Sequence, residues 1–276
     1  MAMRYIEGGL RGTGDPGKQE SLGKDIPLPS VVTSVEKPSV KTSELQTFSQ
    51  DQLILPETAL PQEVSDALQR AEKAGIGVFE AYRLSGITLT RDSQVKGWDK
   101  KPDDWYWDQI KNGKLSPDAA KLPDAWVLID KTQKKDYNKY GKQMYKNDPF
   151  GPILQKLRNI KKIQSIKGTP DTSRFGISHY ELTLVVLPEI AKLLGVDKSA
   201  VKLPKEIEFN VIGNFKHPEW GKINTWEWFD DKFGVDRRLR GGFSGYGGLA
   251  SVNYDWSDRH RDLIGFRPFV VFPSKA

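Results

Sequence analysis

The chain has 276 residues, a net charge of +6 and no cysteine, with twelve Phe, nine Tyr and eight Trp. That length supports one large domain or two small ones, and the aromatic content suits a folded core rather than a disordered chain. The missing cysteine excludes a disulfide framework, a thiolate metal site and a cysteine nucleophile.

Met1–Thr13 is Gly- and Arg-rich and lacks the charged-then-apolar order of a secretory signal. Ile26–Val40 contains three prolines and no helical period. It predicts an extended or poorly structured arm over 1–60, lying along the main domain or a partner chain. A single domain is expected over 61–276. Its first helix is predicted over Pro61–Ala74, where Val64, Ala67, Leu68 and Ala71 form a stripe and Gly75 ends it. Residues 76–130 mix short strand-like runs with Trp-rich loops, and Ala125–Ile129 is a predicted buried strand.

The basic excess is local. Residues 96–167 carry 17 basic and 9 acidic side chains with no Glu. Lysines there are interleaved with Asp, no nucleic-acid motif appears, and a solvated face is the expected reading. No apolar run reaches the length of a membrane span. Pro149–Ile163 suits a short helix. Ser178-x-x-Glu181 is a capping box opening a helix that runs to Gly195, with a kink or break at Pro188. A third short helix is expected over Pro204–Ile212, followed from Ile223 by short strands and long loops. His179 and His217 read as surface or capping residues.

Four motifs follow in order: Lys202-Leu203-Pro204-Lys205-Glu206-Ile207-Glu208-Phe209, Trp226-Glu227-Trp228-Phe229-Asp230-Asp231, Arg238-Leu239-Arg240-Gly241-Gly242-Phe243 and Ile264-Gly265-Phe266-Arg267-Pro268-Phe269. Together they resemble the C-terminal half of the formylglycine-generating-enzyme branch of the C-type lectin fold. The resemblance implies an α+β, C-type lectin-like fold with two or three helices around small antiparallel sheets and long irregular loops. Oxidases of that branch need active-site cysteines, and this chain has none. The Glu-Pro-Asn and Gln-Pro-Asp motifs of the calcium-dependent sugar binders are also absent.

The order of an R-G-G strand, an intervening segment and a terminal G-F-R strand is similar to the variable proteins of diversity-generating retroelements. In that family, mutagenesis of the intervening codons never yields Lys, Glu, Gln, Met or Trp. Phe243–Asp262 contains no Lys, Glu, Gln or Met, although these types make up 58 of the 276 residues, and Trp256 alone departs from the permitted set. The resemblance implies a non-catalytic protein that recognises a protein or surface ligand on a host or neighbouring cell. It implies a location on a virion or, alternatively, on a microbial surface. The expected contact residues are Phe243, Tyr246, Ser251, Asn253, Tyr254, Asp255, Trp256, Ser257, Asp258, His260, Arg261 and Asp262. Tyr and Trp offer rigid contact area, while Ser and Asn offer adaptable hydrogen bonds. No cofactor, metal, nucleic acid or membrane insertion is expected.

Other chemistries are open. Gly241–Gly248 is a Gly-rich loop, but it lacks the phosphate-loop spacing. Asp255, Asp258, His260 and Asp262 are metal-ligating types without a known spacing. Glu227, Asp230 and Asp231 could serve as paired carboxylates, against a structural pairing of Glu227 with Arg240 or Arg267. A cysteine-less relative of formylglycine-generating enzymes with lost or altered catalysis, and a structural attachment protein of a virus or cell surface, remain as alternative functions.

Overall fold

The computed structural model describes residues 46–56 and 59–273. In chain order these give β1 (Thr47–Phe48), α1 (Gln50–Leu53), β2 (Ile54–Leu55), α2 (Gln62–Lys73), β3 (Phe79–Ser85), β4 (Gln94–Val95), α3 (Asp104–Lys111), β5 (Asp124–Asp130) and α4 (Gly151–Asn159). They continue with α5 (His179–Glu181), a π-helical turn (Leu182–Val186), α6 (Leu187–Leu194), β6 (Val201–Lys202), α7 (Glu206–Lys216), β7 (Trp226–Phe233), β8 (Arg237–Gly241), β9 (Val252–Trp256), β10 (Ile264–Gly265) and β11 (Phe269–Pro273). The class is α+β.

Two sheets organise the elements. The larger is antiparallel, in the order β2-β3-β5-β11-β6. The smaller runs β10-β7-β8-β9, with β10 parallel to β7 and the other pairs antiparallel. Strand alternation explains why Ala125–Ile129 reads as one apolar run. Ala125, Val127 and Ile129 enter a core with α7 residues Phe209 and Ile212 and with Phe229. Trp126 and Leu128 enter a second core with α2 and α6, Trp228 and Phe266. The strand is buried on both faces, so no polar residue interrupts it.

The predicted helix over 61–74 is α2, with Pro61 at its N-cap and Gly75 at φ 74° just past its end. Val64, Ala67 and Ala71 are buried, as their spacing requires. The capping box is present: the Glu181 N–H donates to Ser178 Oγ at 3.2 Å, and Glu181 Oε2 accepts the Ser178 N–H at 3.1 Å. At Pro188 the helix changes its winding rather than breaking. Proline lacks an N–H and would collide with the carbonyl four residues back. The chain widens to a π turn in which the Leu187 N–H bonds to the Leu182 carbonyl, five residues back.

Two expectations need correction or limits. The arm predicted over 1–60 lies outside the described residues as far as residue 45. Residues 46–55, however, join the domain: β2 pairs with β3, and Leu53 is fully buried. Helices exceed the two or three expected: α1 falls in the expected arm and α3 in the expected Trp-rich loops, where Asp103 caps it by accepting the Tyr106 N–H at 3.1 Å and Tyr106 and Trp107 are its buried face. Among the described residues no helix is long and apolar enough to cross a membrane.

Candidate functional site

The four C-terminal motifs converge in space. Trp226 pairs with Ile264 and Glu227 with both Gly265 and Gly241, so the second, third and fourth motifs share one sheet. Glu227 is fully buried. Arg267 donates to it from Nε at 3.0 Å and from Nη2 at 2.8 Å, and Lys134 Nζ lies 3.2 Å from Oε1. Burial alone would raise this carboxyl; the two cations outweigh it and hold it at about 2. Burial draws Lys134 down to about 8, opposed by Glu227. The first motif joins through α7: the Glu206 N–H donates to Asp231 Oδ2 at 2.6 Å, and Glu208 Oε2 accepts the Lys205 N–H at 2.7 Å. A Cβ on Gly241 would sit 2.5 Å from the Ser251 carbonyl oxygen and 2.6 Å from the Phe229 ring. The neighbouring Gly242 has φ 82°. This crowding and the left-handed backbone account for the two glycines.

This scaffold holds residues 243–262 chiefly through their backbone. In the first half, Ser244 N–H donates to the Ile223 carbonyl at 2.8 Å and Asp103 N–H to that of Ala250 at 3.0 Å. Asn210 Nδ2 donates to the Leu249 carbonyl at 2.7 Å. In the second half, the Ser257 N–H donates to the Asp236 carbonyl at 2.8 Å and the Ser257 carbonyl accepts the Tyr180 N–H at 3.2 Å. The Arg261 carbonyl accepts the Gly176 N–H at 3.1 Å. Two apolar anchors help: Val252 is buried in the core, and Leu249 is buried against the bare backbones of Gly213 and Gly221.

The expected contact residues divide. Tyr246 (73 % exposed), Asn253, Trp256 (40 %), Asp258 and Arg261 face solvent. Phe243, Tyr254, His260 and Asp262 are half-buried. Ser251, Asp255 and Ser257 are buried, which corrects their assignment to the exposed face. Asp255 instead receives Arg261 Nε at 3.1 Å and lies 3.6 Å from Arg240 Nη1. His260 Nε2 sits 2.7 Å from Glu181 Oε2. The hydrogen bond from His260 lowers the Glu181 carboxyl against the rise that burial imposes. Asp255 and His260 are thus paired elsewhere, and no group of three or more His, Asp or Glu side chains that could hold a metal occurs among the described residues.

The outward side chains form an aromatic ridge. Trp226 stacks on Phe243 at 5.0 Å and on Tyr246 at 5.8 Å, with Arg240 over its ring at 4.6 Å. Tyr254 stacks on Phe233 at 4.7 Å and on Trp105 at 6.0 Å. Tyr254 divides two concavities: one of about 280 Å³ toward Tyr246 and Asn253, and one of about 870 Å³ toward Trp256 and the β7–β8 turn. Trp105, Phe233 and Arg237 on this face were not singled out in the sequence; they lie far from the motif boundaries and only folding brings them to Tyr254. β9 is an edge strand. The Tyr254 N–H donates to Asn253 Oδ1 at 2.7 Å and the Trp256 N–H to Asp255 Oδ1 at 2.9 Å.

Glu227 is held by its ion pairs with Arg267 and Lys134, and buried Asp231 accepts the Glu206 N–H. Burial raises Asp231 to about 7, and burial together with the Asp231 charge raises Glu206 well above its ordinary range. Contrary to expectation, both histidines are buried. His179 lies edge-on to Trp228, and burial, aided by Arg238, lowers it to about 3. His217 stacks on Trp220 at 4.3 Å and meets the Tyr82 hydroxyl at 2.9 Å. No family model matches this chain, and comparison with curated proteins and with solved structures finds no match either.

Proposed function

We propose that this chain is a non-catalytic recognition protein with a C-type lectin-like fold, of the kind diversified by retroelements, and that residues 243–262 display its contact surface. The observation that carries the reading is how the segment is held. Its fixation comes from backbone hydrogen bonds and from inward side chains such as Leu249, Val252 and Asp255, so most of its outward side chains can change without loosening it. A diversified surface needs this separation of scaffold from contact. The composition of the segment supports the same reading, since Lys, Glu, Gln and Met are absent from it. The contact set is Tyr246, Asn253, Tyr254, Trp256, Asp258 and Arg261, with Phe243 at its margin. A protein or other surface ligand on a host or neighbouring cell is the partner, and a virion is the favoured location.

Sequencing the source locus tests the reading. A near-identical template repeat of the codons for 243–262, close to a reverse transcriptase gene, is the expected result. A locus with neither overturns it.

A further inference from the structure

We propose that the larger cleft beside Tyr254 binds an acidic segment of a partner polypeptide through Arg237, Lys232 and Lys114. This rests on the reading of the face as a recognition surface and names the chemistry it selects.

The cleft, about 870 Å³, opens between the β7–β8 turn and the turn after α3. Phe233 and Tyr254 line it and Trp256 bounds it. The Arg237 guanidinium lies 5.0 Å from the Tyr254 ring centroid and 4.4 Å from that of Trp256. Two rings thus hold its planar donors in place, which lowers the entropy lost when a carboxylate binds. Lys114 and Lys232 are exposed in the same lining. Among the described residues, none of the three cations has a carboxylate partner. The lining also holds one acid, Asp236, which accepts the Tyr180 hydroxyl at 3.3 Å and keeps its charge. Three cations against one carboxylate leave the cleft with an excess of positive charge over an aromatic floor.

A polypeptide suits this lining better than a sugar. Arg237 covers a face of Trp256 and of Tyr254, faces on which a sugar ring would stack. Val235, 81 % exposed at the cleft, offers apolar contact to a neighbouring side chain. All three cations lie outside 243–262, so their charge persists in every variant of the segment, while Tyr254 and Trp256, the rings that position Arg237, lie inside it.

The test is titration of the isotopically labelled full-length chain with a short polyglutamate peptide flanked by leucines, followed by nuclear magnetic resonance. The Trp256 indole and Arg237 side-chain signals should shift saturably, and the shift should weaken as salt rises. Lys232→Gln and Arg237→Gln should each weaken binding roughly tenfold, about the worth of one charge-assisted contact. Lys232 is exposed, so its variant keeps the test valid should Arg237→Gln disturb folding. No saturable shift, or an affinity unchanged from the parent in both variants, overturns the proposal. Tighter binding of an acidic oligosaccharide at the same signals overturns the polypeptide assignment. If the peptide fails to bind while Tyr246, Asn253 and Trp256 can be replaced without loss of stability, this proposal alone falls. If those replacements unfold the chain, the display reading falls regardless of the peptide.

Discussion

Arg267 grips Glu227 with two parallel hydrogen bonds, 3.0 Å and 2.8 Å long, and both side chains are fully buried. One residue comes from the terminal G-F-R motif and the other from W-E-W, so the pair ties the strands on either side of the displayed segment. Arg267→Met leaves Glu227 with only Lys134 as counter-charge and should cost about 3–5 kcal/mol in urea denaturation. Adding Glu227→Gln should recover none of that loss, because it strips the buried Lys134 ammonium of its carboxylate partner.

Phe266→Ala removes a fully buried ring that packs 6.0 Å from Phe150. A loss of about 3–5 kcal/mol is expected in the same measurement.

Gly241→Ala places a methyl against the Ser251 carbonyl and the Phe229 ring, both under 3 Å from its position. The neighbours are backbone and core, so neither yields easily. Destabilisation of about 1–3 kcal/mol is expected, with loss of the β8–β9 pairing seen by amide exchange.

Substitutions across 243–262 should separate by burial rather than by residue type. Tyr246→Ser, Trp256→Ser and Asp258→Ala should each stay within about 1 kcal/mol of the parent. Asp255→Ala buries Arg240 without its partner, and Ser257→Leu forces a large side chain into a site where the serine is 2 % exposed. Both should lose more than about 1 kcal/mol. Equal tolerance across the two groups would contradict the division.

Two buried groups give opposite pH dependences. Asp231 sits at about 7 against its ordinary 3.8, so the folded chain keeps a proton that the unfolded chain releases. Its contribution to stability is complete below the unfolded value and is lost as pH rises through about 7. His179 sits at about 3 against 6.5, so its contribution is lost as pH falls from 6.5 toward 3. Asp231→Asn should flatten the decline in urea midpoint on the neutral side, and His179→Phe should flatten the decline on the acid side.

Much of this architecture was legible where the local signal was strong. The stripe of α2, the Ser178–Glu181 box and the continuous apolar run of β5 each follow from one short-range rule, and each element lies where that rule puts it. The pairing of Glu227 with Arg267 was among the alternatives open from the motifs alone. What could not be read depends on tertiary packing. Helix α3 hides in a stretch dense with Trp and Asp, where the helical period is masked because Tyr106 and Trp107 bury adjacent positions. His179 and His217 carry polar labels but are enclosed by Trp228 and Trp220, which no local pattern announces. Ser251, Asp255 and Ser257 look like solvent-facing residues until the fold turns them inward.

The edge strand β9 is closed by its own side chains, Asn253 and Asp255, each accepting the amide that follows it. Asp255 is locked inward by two arginines, but Asn253 is free to be replaced. An apolar residue at 253 would leave the Tyr254 amide open to the strand of another copy. Solubility, not folding, would then limit which residues position 253 accepts, and variants that violate this should reveal themselves as edge-to-edge aggregates of intact domains.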